Sequence, residues 1–404
     1  MVTSYVYDFN GNVKSILETD AQIATSSRTT QYRYDRLNRI DQVLTPPPGL
    51  GILQIAGEQR DVSTGGYFTN LTYDNLGNVV RTVDPLGNAT IYTFDLLNRP
   101  TNTMYPDGST SQASYTAMGS GWLIKLTDAL NRKTSVRTDF RGNTLSMAGD
   151  SVSQYTSYWA DGLIRSSSDD FGNATDYEYN NSGMLQRVLQ PATTVGGIDR
   201  PSTQLEYRSD GLLSSVTDPL GRKVTSSYDA GGRRIRQTQP ASETTGPSSL
   251  NYDFWEWDSI GNLVRSGSSL NDPTVSVVTN SNQPKRFLRD SRFQLVTAFD
   301  ERGAQDQYEY DNFGRVTALV DSKLNRTTFG YNRLDQLIED TQVVTSVTPN
   351  QNLTRSFVYD AVGNLRRRTD RNGRDVEYSY DTMYSPTSEV WKTGATIQKT
   401  IGSS

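Results

Sequence analysis

The sequence predicts an all-β fold in which tandem antiparallel β-hairpins form one continuous, curved spiral sheet. Three observations predict it: an aromatic residue followed by Asp or Asn recurs along the chain, turn residues follow at even spacing, and β-branched and aromatic residues fill the stretches between. The composition agrees, because 32 glycines and 23 tyrosines accompany only 34% hydrophobic residues, which suits many turns and half-buried aromatic positions.

The aromatic–Asp pair marks each repeat. It occurs at Tyr7-Asp8, Tyr34-Asp35, Tyr73-Asp74, Phe94-Asp95, Tyr228-Asp229, Trp257-Asp258, Phe299-Asp300, Tyr310-Asp311, Tyr331-Asn332, Tyr359-Asp360 and Tyr380-Asp381. Half-repeats without the aromatic residue stand at 84–87, 128–131, 218–221, 321–325 and 370–373. Turns therefore follow one another every ten or eleven residues, and two steps make a unit of about 21, as expected for consecutive hairpins.

The Asp-x-x-Gly pattern explains each turn. Asp suits the first position of a type I turn, and the fourth residue often takes positive φ to form a bulge, which glycine does without strain. Where glycine is missing, its predicted substitutes are Asn38, Asn98, Asn131, Asn325 and Asp335. Asn and Asp tolerate the left-handed region best among the other residues, so a backbone constraint accounts for this substitution pattern.

The strands follow the turns. Segments such as 79–83 and 316–320 are rich in β-branched residues. A single hairpin is marginally stable in water, so neighbouring hairpins must pair edge to edge to bury their Tyr, Leu and Val side chains. A sheet of so many strands twists and must coil or close, which predicts a spiral, barrel-like or shell-like wall.

The even step is interrupted in five places. These are residues 41–70, 189–204, 238–250, 266–286 and 341–354. Their Pro, Gly, Ser and Thr content predicts exposed inserted loops, where a rigid scaffold commonly places binding residues. Residues 1–404 are otherwise expected to form a single repeat array, and we expect it to be a fragment of a longer chain.

The composition also excludes several chemistries. The chain has no Cys and no His, so it has no disulfides, thiolate metal sites, cysteine nucleophiles or His-dependent triads. A net charge of −5 gives no general attraction to nucleic acid or anionic membranes. No apolar run approaches the roughly 18 residues that a membrane-spanning helix needs.

Residues 73–108 and 310–337 carry a family likeness. The segments YDNLGNVVRTVDPLGNATIYTFDLLNRPTNTMYPDG and YDNFGRVTALVDSKLNRTTFGYNRLDQL closely resemble Rhs and YD-repeat proteins. That family includes bacterial polymorphic-toxin carriers, cocoon components of insecticidal toxin complexes, wall-associated proteins and teneurin shells. The resemblance implies a β-strand spiral that walls off a hollow, often around a C-terminal toxin, and an extracellular, secreted or cell-surface location, most often bacterial.

One family feature does not appear in the sequence. Toxin-carrying members resembling this chain end in a region with an Asp-Pro-x-Gly-Leu type segment, where an aspartyl autoproteolysis releases the C-terminal domain. Residues 82–88 and 217–222 share Asp-Pro and Gly with it, but both lie in register as ordinary repeat turns. We therefore predict no cleavage at either segment.

Calcium binding is a second interpretation of the turn acids. Glycine- and aspartate-rich β-rolls bind Ca²⁺ with Asp every nine residues, whereas here one Asp and one Gly recur every ten or eleven. Turn geometry already explains that pattern, so we expect no metal and no cofactor. Paired carboxylates of glycosidase type are recognised only by their separation in space, and turn acids are poor candidates, so we expect no catalytic residues.

The sequence has one basic cluster: Arg366, Arg367, Arg368, Arg371 and Arg374. In a strand, residues 366 and 368 share one face while 367 takes the other, so the triplet is not a single patch. Pairing with nearby acids such as Asp370 and Asp375 is favoured over anion binding.

Trp255 and Trp257 lie two residues apart on one strand face, and with Tyr252 they offer an aromatic platform for a sugar. Core packing is the favoured interpretation, because aromatic residues elsewhere hold the same repeat position. Glycosylation sequons stand at Asn70, Asn88, Asn173, Asn325 and Asn352, and they matter only in a secretory pathway.

The predicted function is therefore structural and not enzymatic. The chain is expected to be a shell segment that encloses or presents a cargo, such as a C-terminal toxin domain, with the rest of its own polypeptide as its partner. The alternative is a cell-surface adhesin that binds glycan or protein through the inserted loops. A catalytic or self-cleaving unit is the third hypothesis.

Overall fold

A computed structural model describes residues 2–19, 27–47, 49, 51–52, 54, 58–61, 65–149, 152–192, 199–238, 252–274, 283–344 and 351–402. Within these ranges the chain forms 33 β-strands in one sheet and a single short 3₁₀ helix, Ser269–Asn271. Each pairing whose register is described joins two strands that are consecutive in the chain, and each is antiparallel. The predicted all-β fold of serial hairpins is confirmed.

The chain packs as two compact units. Unit 1 consists of a first arm, Met1–Gln112, and a second arm, Asp306–Ser404, and unit 2 is Ala113–Gln305. The boundaries fall inside β9 and at the start of β25.

The first nine strands of the chain are short and regular. They are β1 Val2–Tyr7, β2 Val13–Thr19, β3 Ser27–Tyr34, β4 Ile40–Leu44, β5 Phe68–Tyr73, β6 Val79–Val83, β7 Ala89–Phe94, β8 Pro100–Met104 and β9 Thr110–Met118.

Unit 2 continues the same pattern. Its strands are β10 Gly121–Thr127, β11 Lys133–Asp139, β12 Thr144–Ala148, β13 Ser153–Tyr158, β14 Ile164–Asp169, β15 Ala174–Tyr179, β16 Leu185–Leu189, β17 Ser202–Tyr207, β18 Leu213–Thr217, β19 Lys223–Tyr228, β20 Arg234–Thr238, β21 Tyr252–Trp257, β22 Leu263–Ser268, β23 Lys285–Arg289 and β24 Leu295–Phe299.

The second arm contains the last nine strands. They are β25 Gln305–Tyr310, β26 Val316–Val320, β27 Arg326–Tyr331, β28 Leu337–Val344, β29 Gln351–Tyr359, β30 Leu365–Thr369, β31 Arg374–Tyr380, β32 Pro386–Thr393 and β33 Thr396–Gly402. β6 and β26 have the bounds that the sequence predicts.

The two ends of the hairpins differ. Where an odd-numbered strand leads into the next even one, the described register shifts by one residue: Tyr73 pairs with Val79 but Thr72 pairs with Arg81. We call this the bulged end, because an extra residue in one strand defines a β-bulge. Where an even strand leads into the next odd one, as in β6–β7, the described register is continuous, with β32–β33 as the exception. We call this the plain end.

The turn chemistry is the same at both ends and is clear at Asp35. The backbone N–H of Asn38 donates to the Asp35 carbonyl (3.1 Å), and the N–H of Asp35 donates to the Arg39 carbonyl (2.8 Å). Oδ1 of Asp35 accepts the N–H of Leu37 (2.8 Å) and of Arg39 (3.0 Å), and the Arg39 guanidinium binds Oδ2. One carboxylate therefore satisfies the inside of the turn, which explains why Asp recurs there.

The predicted left-handed residues are confirmed in four of five cases. Asn38, Asn98, Asn131 and Asp335 have φ near 60°. Asn325 was the wrong prediction, because Leu324 takes the left-handed position (φ 66°). The side chain of Asn325 instead donates to Asp321, which is the role of the residue after the left-handed one.

The Phe299-Asp300 pair precedes a turn, as predicted, but this turn lies at the other end of the hairpin from the turns of the other aromatic–Asp pairs. The turn that begins at Asp300 joins β24 to β25, which makes it a plain-end turn. The bulged turn of this repeat begins at Asp290, after Arg289, and its left-handed position holds Phe293 (φ 64°). The sequence rule misses it because neither the aromatic residue nor the glycine is present.

At many bulged ends, a tyrosine hydroxyl of a following hairpin bonds to the backbone beside the bulge. Eight repeat tyrosines of the described chain donate to the carbonyl of the first residue of an earlier even-numbered strand: Tyr34, Tyr73, Tyr158, Tyr207, Tyr228, Tyr331, Tyr359 and Tyr380. Trp257 does the same through Nε1. The acceptor lies beside the bulge, where the backbone ladder is interrupted, so the hydroxyl bridges neighbouring hairpins at their weakest point.

Burial in the sheet is shallow. The core consists of seven buried hydrophobic side chains among the described residues: Leu44, Tyr67, Val83, Phe254, Ala318, Ala361 and Val376. Strands such as β27 are half-buried along their whole length. The strands therefore bury their side chains only in part.

Candidate functional site

The two arms of unit 1 meet along a seam, and this seam is the candidate functional site. Its contacts join the plain end of the first arm to the bulged end of the second. The hydrogen-bonded partners stand 307 and 300 residues apart in two of these contacts. The near-constant separation indicates that the two arms lie side by side in register.

An ion pair forms the first seam contact. Arg28 lies on β3 opposite Glu18 of β2, at the plain end of that strand pair. Its guanidinium binds Glu18 (2.6 Å) and crosses the seam to the carboxylate of Asp335 (2.5 Å). Asp335 also binds Arg315 (3.0 Å), and Arg28 lies 5.0 Å from the ring centre of Phe313. The acid in the left-handed turn position therefore has a partner in each arm.

The first insert forms the second contact. The carbonyl of Gly51 accepts the backbone N–H of Tyr359 (2.9 Å), and Ile52 forms a parallel bridge with Tyr359. A Cβ at position 51 would lie 2.3 Å from Cγ2 of Ile338, so only glycine fits there. Burial raises the pKa of the Tyr359 phenol.

This contact corrects the prediction that residues 41–70 form an exposed loop. Within the described part of that insert, Tyr67 is only 1% exposed, and Leu44 and Pro46 are buried as well. Burial and the nearby carboxylate of Glu58 raise the pKa of Tyr67. The composition of this insert resembles that of a surface loop, but Gly51 and Ile52 contact the second arm. Composition carries no information about such a neighbour.

The turn at Asp84 forms the third contact. The hydroxyl of Tyr384 donates to Oδ2 of Asp84, and the side-chain amide of Asn88 donates to the Tyr384 oxygen (3.0 Å). Burial raises the pKa of the Asp84 carboxyl, although backbone N–H groups oppose the rise. Asp218, in the other Asp-Pro-Leu-Gly turn, differs: burial opposes its ionisation, but the N–H and guanidinium of Arg222 outweigh it and lower its pKa.

Two acids are buried within the second arm. Asp340 is 2% exposed and binds both Arg355 (2.8 Å) and Arg371 (2.6 Å). Asp360 is fully buried and binds Arg366 (2.9 Å). Buried carboxylates of this kind require such partners, because a charge without one is costly to bury. Arg366, Arg371 and Arg374 of the arginine cluster are thus paired with acids of the chain, as the sequence favours.

The partners differ in part from those expected. Arg374 binds Asp370 (2.7 Å), as expected, but Asp375 accepts the hydroxyl of Thr369. The two buried acids could not be found from sequence, because Asp340 stands 15 and 31 residues from its arginines and Asp360 stands 6 residues from Arg366.

The predicted aromatic platform lies in unit 2. Trp257 donates its indole N–H to the Arg234 carbonyl (2.9 Å), and both tryptophans line a groove of about 670 Å³. Tyr252 does not share their strand face, because it lies an odd number of residues away and its hydroxyl binds Asp272 (2.8 Å). The buried member of β21 is Phe254.

Several other predicted positions have structural partners. The side-chain amides of Asn88, Asn173 and Asn325 donate hydrogen bonds within the chain. The Asp-Pro segments 82–88 and 217–222 form plain-end turns, as predicted. Residues 193–198, 239–250, 275–282 and 345–350 of the predicted inserts lie outside the described residues.

The described residues contain no group of three or more Asp and Glu side chains placed to hold a metal ion. Nor does any helix in the described ranges have the length and apolar character needed to cross a membrane. The seam offers arginine–carboxylate pairs, a tyrosine–carboxylate bond and a backbone bridge, and these hold two parts of a wall together.

Comparison with known proteins agrees with the repeat pattern. A family model described as RHS Repeat matches residues 73–110, 207–244 and 359–389, each of which begins at or next to a bulged-end turn. These three regions of the chain are similar to the Rhs repeat. No curated protein matches its sequence.

Solved structures share the fold over nearly the whole chain. The crystal structure of TcdB2-TccC3-Cdc42 superposes with a TM-score of 0.73 at 15% identity over 96% of this chain. TcdB2-TccC3-TEV gives 0.71 at 15% over 100%, and TcdB2-TccC3 without its hypervariable C-terminal region gives 0.69 at 16% over 94%. The chain described here spans 22%, 23% and 21% of those chains, respectively. At such identity the likeness concerns the fold.

Proposed function

We propose that this chain is a structural segment of a shell that encloses or presents a cargo, such as a toxin domain, and that it is not an enzyme. The observation that carries the proposal is the wall itself. Serial hairpins form one sheet with few fully buried side chains among the described residues. Such a sheet is better suited to separate two spaces than to form a packed core around a site.

The seam supports the same function. A wall that encloses must join its own rows of hairpins, and the first and second arms are joined by charged, backbone and hydroxyl contacts. The fold likeness to TcdB2-TccC3 and the family's cocoon-forming members support a shell of toxin-complex type. The proposal treats residues 1–404 as one repeat array within a longer, secreted or cell-surface bacterial polypeptide.

The adhesin hypothesis receives less support. It requires the inserts to be free, whereas the described residues of the first insert are packed in the seam. The described part of another insert contributes Asp272 and Thr274 to the groove beside Trp255 and Trp257, and this groove is what the adhesin hypothesis retains.

The natural reading frame around this segment tests the proposal. The frame is sequenced, expressed whole and treated with trypsin, with and without mild denaturant. We expect an unrelated polypeptide in the same frame that resists trypsin until the wall unfolds. A control in which that polypeptide is expressed alone should be cut at once. A frame with an export signal and surface anchor but no protected polypeptide overturns the enclosure proposal and favours the adhesin.

A further inference from the structure

The third residue of a bulged-end turn, here called the apex residue, is apolar in seven turns of unit 1. The apex residues are Leu37, Leu76 and Leu97 in the first arm and Phe313, Leu334, Val362 and Met383 in the second. The first turn of the chain differs, with Asn10 at the apex and an exposed Phe9 before it.

The turn itself does not require an apolar apex. In unit 2 the same position holds Arg141, Asp161, Ser182, Asp210, Gly231 and Arg292, with Ile260 as the apolar member. These turns make the same backbone hydrogen bonds as those of unit 1. The apolar apex residues of unit 1 therefore have a packing role outside their own turns.

The second arm shows what that role is. Its apex residues lie at the seam, where Arg28 of the first arm packs over Phe313, and all four are half-buried or better covered. In the first arm the same row is exposed among the described residues. Leu37 and Leu76 are 67% exposed and Leu97 is 65% exposed. We call these three residues, together with Phe9, the free rim.

We propose that the free rim is a docking surface for the plain end of the second arm of another copy of this chain. The established seam provides the argument, because a bulged-end row in unit 1 is covered by a plain-end row. The second arm has such a row to offer: its plain-end turn at Asp321 exposes Lys323 and Leu324, the latter by 72%.

The contact is heterologous, since the free rim of one copy meets a different surface of the next. Each copy has both surfaces, so association extends the existing seam by another row of hairpins. The inference rests on seam geometry and does not depend on whether the chain encloses a cargo.

Sedimentation of the purified chain tests the docking surface. We expect the mass to rise above the 45.0 kDa of the monomer with increasing concentration. Leu37→Asp, Leu76→Asp and Leu97→Asp together should weaken association at least about tenfold, because three apolar side chains lose their burial. A matched control replaces Leu130, Phe171 and Leu220, which are exposed on plain-end turns of unit 2, with Asp and should associate like the original chain.

Disulfide trapping locates the partner surface and needs no stability assumption. The chain has no Cys, so single substitutions report one site each. Mixing Leu76→Cys with Leu324→Cys should give a mixed disulfide dimer, whereas Leu76→Cys with Leu130→Cys should not. A chain that stays monomeric at every concentration overturns the proposal. So does a rim variant that associates unchanged, or trapping that is equal in the two mixtures.

Discussion

The hydroxyl of Tyr73 donates to the backbone carbonyl of Ile40 across 33 residues of sequence, at 2.7 Å. Ile40 is the first residue of β4, beside the bulge where β3 and β4 lose their regular register. The guanidinium of Arg39 lies 4.4 Å from the centre of the same ring and binds the Asp74 carbonyl (3.2 Å). One aromatic side chain thus joins two consecutive bulged ends across an insert.

The hydroxyl bond predicts that Tyr73→Phe destabilises the chain. The loss should be about 1 kcal/mol in the free energy of unfolding, because the ring stays but a carbonyl beside the bulge loses its donor. Urea denaturation measures it. Tyr92→Phe, on the neighbouring strand β7, is the control and should change stability by less than half as much. Equal effects at both positions would show that the hydroxyl bond contributes nothing.

Phe94 holds the same repeat position as Tyr73 but has no hydroxyl, so the reverse substitution can be made there. Phe94→Tyr should place a donor near the Val79 carbonyl, the first residue of β6. We expect a gain of up to about 1 kcal/mol.

Leu324 is a non-glycine residue in the left-handed region (φ 66°), and its side chain is mostly exposed. Leu324→Gly should stabilise the chain by about 1 kcal/mol, because backbone strain is relieved and little packing is lost. Leu130→Gly is the matched control, since Leu130 is equally exposed but has an ordinary φ, and it should give no gain. Thermal unfolding of both variants measures this difference in stability. A loss of stability in the Leu324→Gly variant would contradict the strain argument.

The two Asp-Pro turns predict opposite dependences on pH. The lowered pKa of Asp218 gives stability that is present above the unfolded-state pKa and lost as pH falls through the folded-state value. The raised pKa of Asp84 gives stability that is present at low pH and lost as pH rises through its folded-state value.

Asp218→Asn should therefore destabilise the chain near about pH 7 more than Asp84→Asn does, and the difference should shrink near about pH 3. Denaturation curves of both variants and the original chain at each pH test this. The same ranking at both pH values would contradict it.

Asp340 is the buried acid that two arginines share. Asp340→Ala should cost roughly 3 kcal/mol in unfolding free energy, because Arg355 and Arg371 lose a buried partner. Glu309→Ala breaks the exposed pair with Arg326 and should cost at most about 1 kcal/mol. Similar losses in the two variants would mean that the burial of Asp340 adds nothing.

Much of the fold follows from local chemistry and is readable in sequence. Asp at the first turn position and Asn38 or Asn98 at the fourth give the turn type, and the ten-residue step gives the strands. Leu324 is an exception. It takes the left-handed turn position although leucine disfavours that backbone conformation, so no residue preference reveals it.

The seam could not be read from sequence. Arg28 and Asp335 lie 307 residues apart, and each has an ordinary local setting as a strand arginine and a turn acid. Their pairing depends on how many hairpins separate the two arms and on how the sheet places them, which no short pattern records. Gly51 gives a weak signal, since a glycine in an insert can mark a close approach of another chain segment.

The account rests on the chain being a wall, and cryo-electron microscopy of the purified 404-residue chain tests this most directly. We expect a curved wall one hairpin sheet thick, with an open concave face and density between the arms at Arg28–Asp335. A flat sheet, or a solid rod with no concave face, would contradict the account.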